Sequence, residues 1–235
     1  MLAGKADELK PQKELKSLKI PRKFVFRNGD GFTAELHVNE IMHPDFGMYT
    51  WPCSVILSQY IIHNRRDFSG KRVLELGAGT GLSGLVALKC GAQAVTFTDR
   101  DSVALENVES SAKENCLEES SFTVKTLNWG VISPGLLRDF EGFDFILGAD
   151  CFFDQTVFLK LIVTVAYLLV QNPSAVFITS YQVRSADWQI VDLLTHWKLK
   201  CEAIPLTDFG GDKESLGETD IIGTQQFQLL IISPA

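Results

Sequence analysis

Residues 75–81 read Glu-Leu-Gly-Ala-Gly-Thr-Gly and follow directly on the apolar pair Val73-Leu74, placing one carboxylate and three glycines at alternate positions. Glycine at 77, 79 and 81 lets a backbone turn sharply at the end of a strand and approach a ligand with no Cβ in between. Ala78 and Thr80 occupy the intervening positions, so the whole run from Gly77 to Gly81 is a candidate cofactor loop. Asp99 closes the next apolar segment 18 residues after Gly81, where a carboxylate can accept both hydroxyls of a ribose. Gly79, Gly81 and Gly84 also satisfy the G-x-G-x-x-G pattern of nicotinamide-binding folds, so this stretch alone admits either class of nucleotide cofactor.

A second group lies in Gly148-Ala149-Asp150-Cys151-Phe152-Phe153-Asp154. In an open α/β sheet the carboxyl ends of the strands carry the site, which makes Ala149 a candidate cofactor contact and Asp150 and Asp154 candidate carboxylates at the reacting centre. Phe152, Phe153 and Tyr181 also fall at strand ends. There they either fill the core or form walls that hold a cation at about 0.5 to 2 kcal/mol each. Arg184 and Asp187 either pair at the entrance to the site or leave Asp187 to cap a helix beginning at Trp188. His37, His43, His63 and His196 are scattered without metal-ligand spacing, and the five cysteines form no C-x-x-C pair, so no metal and no disulfide framework is expected.

These groups need a scaffold, and the hydrophobic pattern supplies one. Strands are expected near 73–76, 94–98, 122–127, 143–148 and 175–180, with helices near 53–66, 82–89, 102–115, 156–170 and 188–196. Such alternation implies a mostly parallel Rossmann-like sheet with helices on both faces. Two further strands, near 200–206 and 225–232, are joined by a Gly- and Asp-rich loop and should form a terminal antiparallel hairpin, giving seven strands. Ahead of the sheet, 23–26 and 32–38 alternate around Asn28-Gly29-Asp30-Gly31 and predict an N-terminal β-hairpin extension over 21–46. Residues 1–20 read as a basic flexible tail, leaving 47–235 for the main domain.

Composition narrows the partners. The 235-residue chain is 46% hydrophobic and 22% charged, which suits one packed domain. Eight of its 22 basic and four of its 29 acidic residues lie in the first thirty, so the remainder carries a net charge of −11. Such a body attracts basic peptides and repels phosphates, and no nucleic-acid binding is expected. The longest apolar stretch, Phe158 to Val170, is interrupted by Lys160 and too short for a bilayer, so no membrane span is expected either.

The order Trp51, E-x-G-x-G-x-G, Asp99, Trp129 and Asp150-x-x-Phe153 resembles the methyltransferase-16 family of small protein methyltransferases, whose motif after the fourth strand ends in Tyr where this chain has Phe153. The runs MYTWPCSV, KCGA, NWGVIS, YQVRSADW, KCEAIPL and DKE extend the resemblance along most of the folded domain. It implies S-adenosyl-L-methionine as cofactor, Glu75 ordering the glycine loop near the methionine end, Trp51 closing the pocket and Trp129 beside the adenine. It also implies a protein substrate, narrowed by the longer runs to arginine of histone H3, and a nuclear as well as cytoplasmic location. Asp150 first, and Asp154 second, would then hold the planar guanidinium bidentately. Lysine methylation of a non-histone protein, methylation of a nucleic acid or small molecule, and a non-catalytic cofactor-binding interaction module stay open at this point. The missing N-P-P-Y-like run after the fourth strand speaks against a base amino group as target.

Overall fold

The computed structural model describes residues 19–41, 49–133, 139–185, 190–223 and 226–235. It opens with β1 (Lys19–Arg27) and β2 (Thr33–Ile41), an antiparallel pair in the register Phe24↔Leu36 and Phe26↔Ala34. Gly31, at φ +88°, completes the turn between them in a conformation that Cβ-bearing residues seldom adopt. The strand starts at Lys19, so it takes in the last two residues expected in the tail; residues 1–18 lie outside the described residues. Phe24, Phe26, Ala34, Leu36 and Val38 are all buried, since alternation puts one face of the ribbon on the domain.

The main sheet has the order β5-β4-β3-β6-β7-β9-β8. Its parallel strands are β3 (Arg72–Leu76), β4 (Ala94–Asp99), β5 (Phe122–Thr126), β6 (Phe145–Ala149) and β7 (Val176–Gln182). The closing hairpin is β8 (Leu199–Ile204) with β9 (Phe227–Pro234), and β9 inserts antiparallel beside β7. Helices α1 (Pro52–His63), α3 (Leu82–Lys89) and α4 (Ser102–Glu114) pack on one face with the N-terminal hairpin outside them, and α5 (Gln155–Gln171) and α6 (Ile190–His196) on the other. The first helix was expected to run to residue 66. It stops at His63, where the Asn64 backbone and side-chain N–H groups both return to the Tyr60 carbonyl, and a short turn, α2 (Arg65–Phe68), follows.

The sheet changes direction between β3 and β6, the place where open α/β sheets bind ligands beyond their carboxyl ends. Both faces are covered, so β3 is buried from Val73 to Leu76 and reads as a continuous apolar run interrupted only by Glu75. Among the described residues no helix is long and apolar enough to cross a membrane.

A two-stranded ribbon would leave β2 with an unpaired edge, and here α4 covers it with side chains. Asn115 accepts from the His37 amide at 2.9 Å and donates to the His37 carbonyl at 2.6 Å; Asn107 donates to the Asn39 carbonyl at 2.6 Å, and the Asn39 amide donates to Ser111 Oγ at 3.2 Å. Replacing Asn115 by Ala strands both His37 backbone groups and should cost about 1 to 3 kcal/mol. Urea unfolding should show a lower midpoint with unchanged slope; an unmoved midpoint would mean that the hairpin is held by its apolar face alone.

Candidate active site

The turn from β3 into α3 is built around a buried acid. Glu75 is 2% exposed and accepts from the Gly84 amide at 3.1 Å, with Ser83 also bonding its carboxyl. Burial pushes its pKa up to about 8, against these two hydrogen bonds that pull it down. A Cβ on Gly84 would stand 2.6 Å from Glu75 Oε2 and 2.3 Å from the Phe97 ring, so the third glycine of the G-x-G-x-x-G reading serves helix-to-strand packing. Gly77, at φ +59°, faces Trp129 so closely that a Cβ there would lie 2.9 Å from the indole. Ala78 is anchored by its amide to the Thr98 carbonyl at 2.8 Å.

Asp99 stands at the end of β4, the strand beside β3. Its carboxylate accepts from the Gly79 amide at 3.0 Å and from the Asp101 amide at 3.1 Å, tying the loop to the neighbouring strand. Burial raises its pKa despite these bonds. Thr50, fully buried just before α1, bonds Thr80 of the loop hydroxyl to hydroxyl at 3.1 Å, and its amide donates to Glu40 of β2 at 3.1 Å. Trp51 follows it, half-buried, with Tyr49 edge-on to its ring at 5.4 Å. The segment before α1 therefore lies across the glycine loop and is tied to the N-terminal hairpin.

Beyond β6, Ala149 ends the strand and Asp150 takes a left-handed conformation at φ +54°. Its amide donates to the Ser180 carbonyl at 2.7 Å. Arg184 donates to both carboxylate oxygens, at 2.8 and 2.5 Å, and the Gln182 amide approaches Oδ1 at 3.4 Å. Cys53 of α1 stands beside this carboxylate, and burial followed by Asp150 holds its thiol well above the usual range. Cys151 Sγ donates to the Leu76 carbonyl at 3.3 Å and would lie 3.6 Å from a Cβ on Gly77. The turn after β6 thus abuts the glycine loop, and Glu75, Gly77, Ala78, Gly79, Thr80, Asp99, Trp129, Trp51, Ala149 and Asp150 gather around the carboxyl ends of β3, β4 and β6.

The other expected site residues are placed differently. Asp154 is the N-cap of α5, exposed and accepting from the Thr156 amide at 2.9 Å, a bond that also holds its carboxyl below the usual range. Phe152 is core, edge-on to Phe158 and Tyr181, whereas Phe153 is 39% exposed. Tyr181 was expected as a wall of the substrate site. On β7, however, Ser180 faces α1, its hydroxyl donating to the Cys53 carbonyl at 2.6 Å, and alternation turns Tyr181 to the opposite face. There its hydroxyl donates to Gln228 at 2.6 Å and its ring lines a cavity of about 460 Å³ with Ile190, Asp192 and Cys201. Asp187, the expected partner of Arg184 or helix cap, lies outside the described residues. Thr50 and Cys53 carried no signal of their own in the sequence.

A nucleoside cofactor fits these residues. The loop leaves no room for a side chain at Gly77, Trp129 supplies a flat wall over it, and Asp99, half-buried, sets a carboxylate at the neighbouring strand end. Among the described residues no three His, Cys, Asp or Glu side chains stand together as a metal site.

Comparisons with known proteins agree with that geometry. Residues 32–197 match the family model Methyltransf_16, described as lysine methyltransferase. The histone-arginine methyltransferase METTL23 of Xenopus laevis is 40% identical over 212 residues, covering 89% of each chain. The protein N-lysine methyltransferase METTL21A of Xenopus tropicalis is 34% identical over 146 residues, 61% of this chain and 65% of that one. Among solved structures, the T. thermophilus 16S rRNA N2 G1207 methyltransferase RsmC, in complex with AdoMet and guanosine, superimposes with a TM-score of 0.60 at 17% identity, covering 92% of this chain and 51% of that chain; this likeness shows the fold.

The buried acid makes a pH prediction. An unfolded chain ionises Glu75 near 4.5, whereas the folded protein keeps the proton to about 8. The folded state therefore binds more protons across that window, and the stabilisation present below 4.5 is lost as pH rises to about 8. Glu75→Gln should flatten the fall of Tm through that range, measured by thermal unfolding of both proteins in parallel. Parallel profiles would mean that Glu75 ionises normally in the fold.

Proposed function

The chain belongs to the Methyltransf_16 family, described as lysine methyltransferase, and from that premise we propose that it is a protein methyltransferase acting on arginine, with histone H3 as its first substrate to test. S-adenosyl-L-methionine is its methyl donor. When bound, the donor supplies an electrophilic methyl group on a sulfonium. The chain's own residues do the rest by holding and orienting. The bare backbone of 77–81 would cradle the cofactor, Asp99 would accept the ribose hydroxyls, Trp129 would flank the adenine, and Trp51 would close the pocket from the side of α1. Glu75 keeps the loop in shape from behind.

The observation that carries the substrate reading is the Asp150 carboxylate. It stands at the end of β6 against the glycine loop and holds a guanidinium by two N–H···O bonds of 2.8 and 2.5 Å. A carboxylate in that pose fits the planar fork of an arginine better than the point charge of a lysine. The charge of −11 outside the first thirty residues favours a basic protein segment as partner, and a relative matching 89% of the chain carries the name histone-arginine methyltransferase. A histone substrate brings with it a nuclear as well as cytoplasmic location. The second reading, a lysine substrate, is favoured by the family's description and by METTL21A.

Incubating the protein with methyl-labelled S-adenosylmethionine and core histones, then hydrolysing the product, should yield labelled methylarginine. Asp150→Asn should lower that transfer by at least tenfold, the loss of one charge-assisted bond of about 1.5 to 3 kcal/mol. Labelled methyllysine would overturn the arginine reading.

A further inference from the structure

The guanidinium at Asp150 belongs to the chain itself, and that has a consequence for any arginine substrate. Arg184 lies just past the end of β7, in the stretch 183–185 that forms neither helix nor strand. Its side chain is 28% exposed, against 7% for that of Asp150. Arg184 is thus the member of the pair that is more open to solvent. The carboxylate stays behind in place, since the Asp150 amide is fixed to the Ser180 carbonyl at 2.7 Å and the Gln182 amide and the Cys53 thiol remain beside it.

Resting on the arginine reading above, we propose that Arg184 is a resident guanidinium which occupies the carboxylate meant for the substrate and which the substrate arginine displaces, an exchange of like for like that sets the substrate concentration the enzyme needs. The two parallel N–H···O bonds to Asp150 and a longer one of 3.4 Å to the Gln182 carbonyl are lost when Arg184 departs, and an incoming arginine restores the two to Asp150. A lysine ammonium has three divergent donors and cannot reproduce the planar fork. A tethered group competes at an effective concentration on the order of millimolar, so the apparent affinity for substrate falls by the fraction of molecules in which Asp150 is taken. The cost falls on substrate binding, not on the cofactor cradle.

The test replaces Arg184 and returns its head group from solution. Arg184→Ala should bind ethylguanidinium, seen as a rise in Tm at about 10 mM, in excess over the effective concentration of the tethered group; ethylammonium at equal ionic strength should give no rise. The double variant Asp150→Asn/Arg184→Ala should respond to neither. With an arginine peptide, Arg184→Ala should show a KM lowered by at least about tenfold, unchanged cofactor affinity, and an unchanged preference for arginine over a matched lysine peptide, because a resident group competes with both alike. Arg184→Gln is the variant to titrate if the alanine form does not fold. An equal response to ethylammonium, no response to either cation, or a KM that rises would overturn the exchange and leave Arg184 a structural clamp. If the wild-type protein makes only methyllysine, the arginine reading fails whatever ethylguanidinium does. If it makes methylarginine and the variant KM is unchanged, the exchange fails alone.

Discussion

The fold depends on one crowded turn, where β3 passes into α3 with no space for a side chain. A Cβ on Gly77 would press on Trp129, and one on Gly84 would press on both Phe97 and the Glu75 carboxyl. The close approach brings the first turn of α3 down onto the sheet and leaves a stretch of backbone bare of side chains where a ligand can approach it. Glu75 is the counterpart of that absence. Its carboxyl sits in a buried strand because the Gly84 amide needs a partner there, and burial keeps it protonated well above the ordinary carboxylate range. The loop is then fixed from its other sides by the Thr98 carbonyl, the Asp99 carboxylate and the Thr50 hydroxyl.

The substrate side of the site is built on the same economy of position. Asp150 occupies a left-handed conformation just past β6, which turns the chain back against the glycine loop while its carboxylate reaches across to the end of β7. Cys53 at the start of α1 and Arg184 after β7 meet it there. The N-terminal hairpin takes part at a distance: Glu40 of β2 receives the Thr50 amide and also pairs with Arg22, which in turn reaches Asp220 in the loop between β8 and β9. The segment lying over the loop is thus braced by two peripheral elements.

Much of this was legible in the sequence, for reasons that differ by residue. The parallel sheet and its closing hairpin followed from apolar runs separated by helical spacing, and their ends moved by only a few residues. The glycine loop with Glu75 and Asp99 was legible because one strand-turn-helix unit and the strand after it carry all of its parts within 25 residues. Asp150 and Arg184 are 34 positions apart and meet only because β6 and β7 are adjacent, which no local pattern encodes. The place of Tyr181 at a strand end points it toward the site, but its neighbour Ser180 already faces α1, and a strand's period of two then sends the tyrosine to the other face. Asp154 looked like a second carboxylate for chemistry, although an Asp two residues before Thr at a helix start is the ordinary signature of a cap.

The most direct measurement of the account is a titration of the isotope-labelled protein with S-adenosylhomocysteine, followed by amide and indole NMR shifts. The cradle described here predicts that the amides of Gly77, Gly79, Thr80 and Asp99 and the Trp129 indole move, while those of Tyr181, Asp192 and Gln228 around the cavity of about 460 Å³ stay. Shifts concentrated at Tyr181, Asp192 and Gln228, with the glycine loop unmoved, would contradict it.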